Sequence, residues 1–269
     1  MTLPTTDREI YNRNPLAEVT AQLQFPPILR IEAEVPSQFQ EAIRDRYPLY
    51  KKINSAAQLP AEIPAPVRNL IQGMGGAAGP TLHIFESTDQ KLAVCLSHQT
   101  LALKTTAYVQ WEAFRDLLEF VRDRFQTVYQ PPSYTRIGLR YVDIIRRSIL
   151  GLENVRWSEL INPGVGAALT ADEFAEGIDS ASSQTHCQLD GEDNFLLLRT
   201  GIAHAGPRQP GGSPEKCFVI DSDFHSHKVT ELGHVTNRLD TFNRFSGNLF
   251  RWAIRPPLRG ALQPQLLAG

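Results

Sequence analysis

The stretch SYTRIGLRYVDII, residues 133–145, has a strong strand pattern. Neighbouring side chains on a strand point to opposite faces of the sheet. One face of this strand would carry Arg136, Gly138 and Arg140. The other face is apolar except for Asp143. It carries Thr135, Ile137, Leu139, Tyr141 and Ile145. The pattern predicts a strand with one buried face, which either closes the first half of the chain or opens the second.

Alternation and helical periodicity divide the rest of the chain. PLAEVTAQLQF (15–25) predicts a half-buried strand that ends at a pair of prolines. Apolar residues at helical spacing predict long amphipathic helices over residues 111–129 and from Thr230 to about Ile254. Residues 54–80, rich in Ala, Pro and Gly, predict a long loop, and residues 174–189 an irregular strand. Further strands are predicted in TLHIFES, KLAVCLSH, LALKTTAYV, NFLLLRTG and KCFVIDSDF, and short helices in PSQFQEAIRDRY and VRWSELIN.

The order of these elements predicts an α+β fold. The connections between strands are too short for helical crossovers, so antiparallel pairing is expected. We predict antiparallel curved sheets, each packed on a long amphipathic helix. The elements suggest two loosely similar halves, residues 1–132 and 133–269. Because no flexible linker separates them, we expect the halves to pack tightly as one globular unit.

Composition limits the classes of function. The chain has 269 residues and a formal net charge of −2, whereas proteins that wrap duplex nucleic acid carry a strong basic excess. Its three cysteines form no CxxC pair, which favours a reduced, cytoplasmic setting over a disulfide framework. The first 15 residues lack the apolar run of a signal peptide, and no apolar segment is long enough for a membrane span. We therefore expect a cytoplasmic protein with no membrane partner.

Four stretches together resemble a known family. They are NPLAEVTAQLQFPP, YTRIGLRYVDII, FVIDSDF and the closing amphipathic helix. In this order they resemble the TIGR04255 family of sporadically distributed bacterial and archaeal proteins, whose activity is not established. The family pattern R-x-G-L-R-Y-x-N is matched by this chain except at its last position, where Asp143 stands in place of Asn. The resemblance implies a role as an accessory protein of a bacterial defence or mobile operon, with a protein partner from the same operon.

The middle strand supplies the candidate ligand-binding residues, Arg136, Arg140, Tyr141 and Asp143. Gly138 would leave room above the sheet, so that the two guanidinium groups could straddle a phosphate or carboxylate. The alternative is that both arginines pair with nearby carboxylates or extend into solvent. Aromatic and basic residues on this strand also leave nucleic-acid binding open.

The stretch VIDSDFHSH (219–227) offers weak metal candidates in Asp221, Asp223 and His225. Carboxylate and imidazole groups suit zinc or iron, but the alternating residues from Asp221 to His227 spread over about 20 Å, so only neighbouring pairs could share one ion. Because the intervening residues are mostly apolar, we expect this polar face to be solvent-exposed, with a buried polar network as the alternative.

No catalytic signature accompanies these residues, and we assign no catalytic residue, no metal and no cofactor. The favoured hypothesis is a non-catalytic protein that binds a protein partner or a small anionic ligand in a concavity between a sheet and a long helix. Two alternatives remain: a metal-dependent enzyme that uses the Asp/His strand, and a nucleic-acid-binding subunit that uses the two arginines.

Overall fold

The computed structural model describes residues 4–5, 7–53, 81–166, 169, 177–190, 193–206 and 214–266. Its strands are β1 (Glu9–Tyr11), β2 (Leu16–Gln24), β3 (Leu49–Ile53), β4 (Leu82–Glu86), β5 (Leu92–Ser97), β6 (Thr100–Thr105), β7 (Arg136–Arg146), β8 (Ala181–Gln188), β9 (Asn194–Ala205), β10 (Glu215–Ser226) and β11 (Pro264–Leu266). Its helices are α1 (Arg30–Ala33), α2 (Ser37–Ile43), α3 (Trp111–Tyr129), α4 (Arg147–Leu150), α5 (Trp157–Leu160), α6 (Pro163–Gly166), α7 (Val235–Ala253) and α8 (Pro256–Ala261), with a 3₁₀ turn at Leu232–His234. The loop predicted at residues 54–80 lies outside the described residues.

The strands form a two-stranded sheet, β1-β11, and a nine-stranded sheet in the order β3-β4-β5-β6-β2-β7-β10-β9-β8. Pairs such as β5–β6 and β8–β9 are antiparallel. The α+β class is therefore confirmed. No helix in the described part of the chain is long and apolar enough to cross a membrane.

The chain divides into two compact units. The first unit comprises residues 1–17, 140–225 and 240–269, and the second comprises residues 18–139 and 226–239. The strand predicted at residues 133–145 is found as β7, which runs from the second unit into the first. The division of the sequence into halves at residue 132 stays a prediction.

The second unit has an aromatic core. Phe39 of α2 meets Phe85 of β4 and Phe125 of α3 edge to face, at ring-centre distances of 5.5 and 6.3 Å. Phe25 lies 4.7 Å from the same Phe125 ring. Such tilted and edge-to-face pairs add to the stability that burial of the rings provides. The amphipathic pattern predicted for residues 111–129 is confirmed in α3, where Phe114, Leu118, Val121 and Phe125 are buried.

The predicted polar face of β2 is buried at Glu18 and Thr20 and partly exposed at Gln22 and Gln24, so the half-buried interpretation was wrong for the first two residues. Glu18 and Thr20 are each only 2% exposed. The Glu18 carboxylate lies 2.7 Å from the Lys104 ammonium on the neighbouring strand β6 and accepts a hydrogen bond from the Thr20 hydroxyl. A buried charge is tolerated when it is paired and hydrogen-bonded in this way.

In the core of the first unit, strands β7, β9 and β10 pack against helices α5, α7 and α8. Buried members include Ile145, Phe218 and Ile220 from the strands and Trp157, Ala253 and Leu258 from the helices. The strand expected over residues 174–189 is found as β8, which pairs with β9 from Ala181↔Ile202 to Gln188↔Phe195. A Cβ on Gly201 would overlap the Ala181 carbonyl, so glycine permits the close approach of these two strands.

Candidate functional site

Gly138 makes room for the side chain of Arg136. A Cβ at residue 138 would collide with the Arg136 guanidinium, which therefore lies over the glycine. This guanidinium donates a hydrogen bond of 2.5 Å to the Gln22 side-chain oxygen, within the second unit. The space that the sequence suggested for a ligand thus holds protein atoms at this point.

Arg140 belongs to the first unit, where its guanidinium donates two hydrogen bonds to the Asp221 carboxylate. Its Nε and Nη2 donate to the two carboxylate oxygens at 2.6 and 2.8 Å. Arg199 approaches the same carboxylate at 3.5 Å, and its Nε donates to Gln184 at 3.0 Å. Arg140 and Arg199 thus share one carboxylate. The pairing of Arg140 with a carboxylate was the alternative to ligand binding, whereas Arg136 donates to the neutral Gln22 amide. An anion held between Arg136 and Arg140 stays a prediction.

The Asp/His face of β10 is more buried than the sequence indicated. Asp221 and His225 are 7% and 6% exposed, so the expectation of a solvent-exposed face was wrong for both. Asp221 is covered by the arginines that bind it. The His225 ring stacks on His186 and Phe195, at ring-centre distances of 5.7 and 5.8 Å. The alternative of a buried polar network describes Asp221, because its partners satisfy its charge.

The three metal candidates do not converge. His225 Nδ1 lies 3.9 Å from an Asp223 oxygen, while Asp221 is engaged by Arg140. Among the described residues, no group of three or more His, Cys, Asp or Glu side chains is placed to hold a metal ion.

Tyr141 and Asp143 lie on the other face of β7. The Tyr141 hydroxyl donates to the Asn243 side-chain oxygen of α7 at 2.9 Å. Asp143 is 5% exposed, and burial, with a smaller contribution from the charge of Asp221, raises its pKa to about 8. A carboxyl group with this pKa is mostly protonated at neutral pH, so Asp143 carries less than a full negative charge.

The first unit contains a cavity of about 430 Å³ that the sequence did not indicate. Its lining includes the buried apolar side chains of Trp157, Leu169 and Ile202, which are 7%, 2% and 4% exposed. The lining also includes the cations Arg147 and Lys216. Cavities of this size that combine an apolar lining with a few polar groups are the usual sites for small ligands.

Each of the two cations donates a hydrogen bond to a backbone carbonyl group. Arg147 lies over the Trp157 ring, 4.7 Å from its centre, and donates to the Val155 carbonyl at 2.8 Å. Lys216 donates to the Ile178 carbonyl at 2.8 Å, and a carboxylate oxygen of Asp179 is 3.8 Å away. A carbonyl orients a cation without neutralising it, so these contacts leave the charge of Arg147 for a ligand, whereas Asp179 offsets part of the charge of Lys216.

The described part of the lining is positive. It contains Arg147, Arg156 and Lys216 against the carboxylate of Glu153, which gives these residues a formal charge of +2. Carboxylates outside this lining offset part of the charge, because Arg156 pairs with Glu159 at 3.1 Å and Lys216 lies 3.8 Å from Asp179. The cations and the buried apolar side chains of the lining together favour an anion that carries an apolar group.

Sequence reasoning missed this site because its parts are distant along the chain. Arg147 and Trp157 flank a turn, whereas Ile202 and Lys216 lie on β9 and β10. None of them belongs to a recognisable motif. The only signal was the pair Arg146-Arg147, which directly follows the predicted strand.

The chain matches no protein-family model and no curated protein. Membership of the TIGR04255 family stays a prediction.

Proposed function

We propose that this protein is a non-catalytic binding protein for a small organic anion, and that the ligand occupies the cavity of the first unit. The observation that supports this proposal is that Arg147 and Lys216 line a cavity of about 430 Å³ together with buried apolar side chains. The anionic group of the ligand meets these two cations, and its apolar group contacts Trp157 and Ile202.

Both parts of such a ligand would contribute to affinity. A hydrogen bond to a charged group contributes about 1.5–3 kcal/mol. Apolar surface removed from water contributes about 25 cal/mol per Å². Because Arg147 and Lys216 are already oriented by carbonyl groups, less conformational entropy is lost when an anion binds. A carboxylate with a short hydrocarbon chain is the simplest molecule that satisfies both requirements.

The alternatives have less structural support. The metal-dependent enzyme would need Asp221, which Arg140 already holds at two points. The nucleic-acid subunit would need Arg136 and Arg140, both of which donate to side chains of the protein. A role in a defence operon is implied only by the family resemblance, and the binding proposal does not depend on it.

Calorimetric titration with straight-chain carboxylates of increasing length tests the proposal. We expect saturable one-to-one binding whose affinity rises with chain length until the cavity is filled. The alcohols of the same length serve as controls, because they keep the apolar group and lack the charge. If the carboxylates fail to bind, or if the alcohols bind equally well, the assignment of an anion site is wrong.

A pair of variants locates the site. Lys216→Met keeps the length of the side chain and removes its charge, so we expect affinity for the carboxylate to fall about tenfold, as for the loss of one charge-assisted hydrogen bond. Lys228→Met makes the same change at an exposed lysine that does not line the cavity. Its affinity should equal that of the unmodified protein. An equal loss in both variants would show that the effect is one of net charge.

A further inference from the structure

The edge strand β8 has an unusual composition for its position. It is the last strand of the nine-stranded sheet, and within the described residues it pairs with β9 alone. Its sequence, ASSQTHCQ, contains no Asp, Glu, Lys, Arg or Pro. Residues 182–186 are all exposed. The strand thus presents its outer edge without the features that usually prevent pairing with another chain.

The opposite edge of the same sheet provides a comparison within this chain. Strand β3, with the sequence LYKKI, carries Lys51 and Lys52. Lysines on an edge strand are a common means of preventing edge-to-edge association. The edge strand β3 is therefore protected by lysines, whereas the longer edge strand β8 carries none.

We propose that β8 is a self-association surface, on which two copies of the chain pair their β8 strands antiparallel about a two-fold axis. An edge strand of eight residues extends for about 27 Å. On its outer side, alternate residues direct their N–H and C=O groups away from β9, which allows roughly eight hydrogen bonds between two such strands.

A second copy fits this edge better than a different partner does. In antiparallel self-pairing the same surface faces itself, so like charges would lie close to one another and oppose association. Because β8 has no charged side chain, this repulsion is absent. A different partner is usually selected through complementary charges or pockets, and the β8 side chains supply no charge for such selection.

Light scattering coupled to size-exclusion chromatography, over a range of protein concentrations, tests the proposal. The chain has a mass of 30.1 kDa, and we expect the measured mass to rise to twice this value as concentration increases. In hydrogen exchange, the amides of β8 should become more protected in the larger species. A chain that keeps the monomer mass at every concentration would overturn the proposal.

Thr185→Lys is the informative variant. It places a lysine at the centre of β8, where the copies of this residue would face one another across the axis, so we expect the protein to remain monomeric. Thr127→Lys adds the same charge to an exposed position of α3 and should leave the dimer unchanged. Circular dichroism would verify that both variants are folded. A dimer that persists in Thr185→Lys would show that another surface is responsible, and would also overturn the proposal.

Discussion

Arg140 and Asp221 form a two-point ion pair that joins neighbouring strands of the first unit, with contacts of 2.6 and 2.8 Å. The two side chains are 17% and 11% exposed. A pair this well protected from water is only weakly screened, and either partner left alone would carry an uncompensated charge. We therefore assign this pair to the stability of the sheet.

Asp221→Asn should destabilise the protein, because Arg140 and Arg199 would both lose their carboxylate. We expect the free energy of unfolding to fall by about 2–3 kcal/mol, slightly less than for a fully buried pair. Urea unfolding measures the change. A double-mutant cycle with Arg140→Met provides the control. If the effects of the two single substitutions simply add, the two side chains do not interact as described.

Asp143 should make the protein less stable as pH rises. In the folded chain its carboxyl group keeps the proton to about pH 8, whereas in the unfolded chain it ionises near the model-compound value of 3.8. Between these pH values the folded state binds more protons, so the stabilisation present at low pH is lost as pH rises towards 8. Each unit of pKa difference corresponds to about 1.4 kcal/mol.

Asp143→Asn removes this titration. Relative to the unmodified protein, the variant should gain several kcal/mol of stability between about pH 5 and pH 8. Chemical unfolding of both proteins across this range measures the difference. Parallel stability curves would mean that Asp143 has an ordinary pKa in the folded protein.

Gly138→Ala should disturb the second unit by displacing the Arg136 guanidinium. We expect a loss of about 1–2 kcal/mol, which combines the hydrogen bond to Gln22 with the strain of the new contact. The substitution should cause little further loss in an Arg136→Met background, because the guanidinium is then absent. An equal loss in both backgrounds would place the cause in the strand backbone.

The cysteines should differ in reactivity. Burial raises the pKa of the Cys95 thiol to about 12 and also raises the pKa of Cys217, and both are at most 2% exposed. Cys187 on β8 is only partly buried. A thiol-specific disulfide reagent should therefore modify Cys187 first and reach the other two only in denaturant. Peptide mapping identifies the modified residue, and early modification of Cys95 would contradict its burial.

The α+β class was predictable because local patterns determine it. Alternation identified β2 and β7, and helical spacing identified α3 and α7, each of which is followed by a pair of prolines. Burial was harder to predict. Glu18 and Asp221 are polar residues at alternating positions, and each is buried because a cation from a different strand neutralises it. The sequence does not specify which strands become neighbours, so it could not identify these pairs.

The candidate site was less predictable than the fold. Arg136 and Arg140 were candidates because they share a strand face, but both donate hydrogen bonds to protein side chains. The cavity instead combines Arg147 and Trp157 with Ile202 and Lys216, which lie far away along the chain. Such a site depends on the pairing of distant segments and leaves no spacing pattern in the sequence.

The fluorescence of Trp157 reports directly on a ligand in the cavity, because this residue lines the cavity and its ring packs against the Arg147 guanidinium. Trp111→Phe and Trp252→Phe together leave Trp157 as the single tryptophan. On titration with a straight-chain carboxylate, we expect a saturable change in emission that Lys216→Met shifts to higher concentration. Constant Trp157 emission from a protein that binds the ligand in calorimetry would contradict a ligand site in this cavity. An unchanged titration in Lys216→Met would contradict it as well.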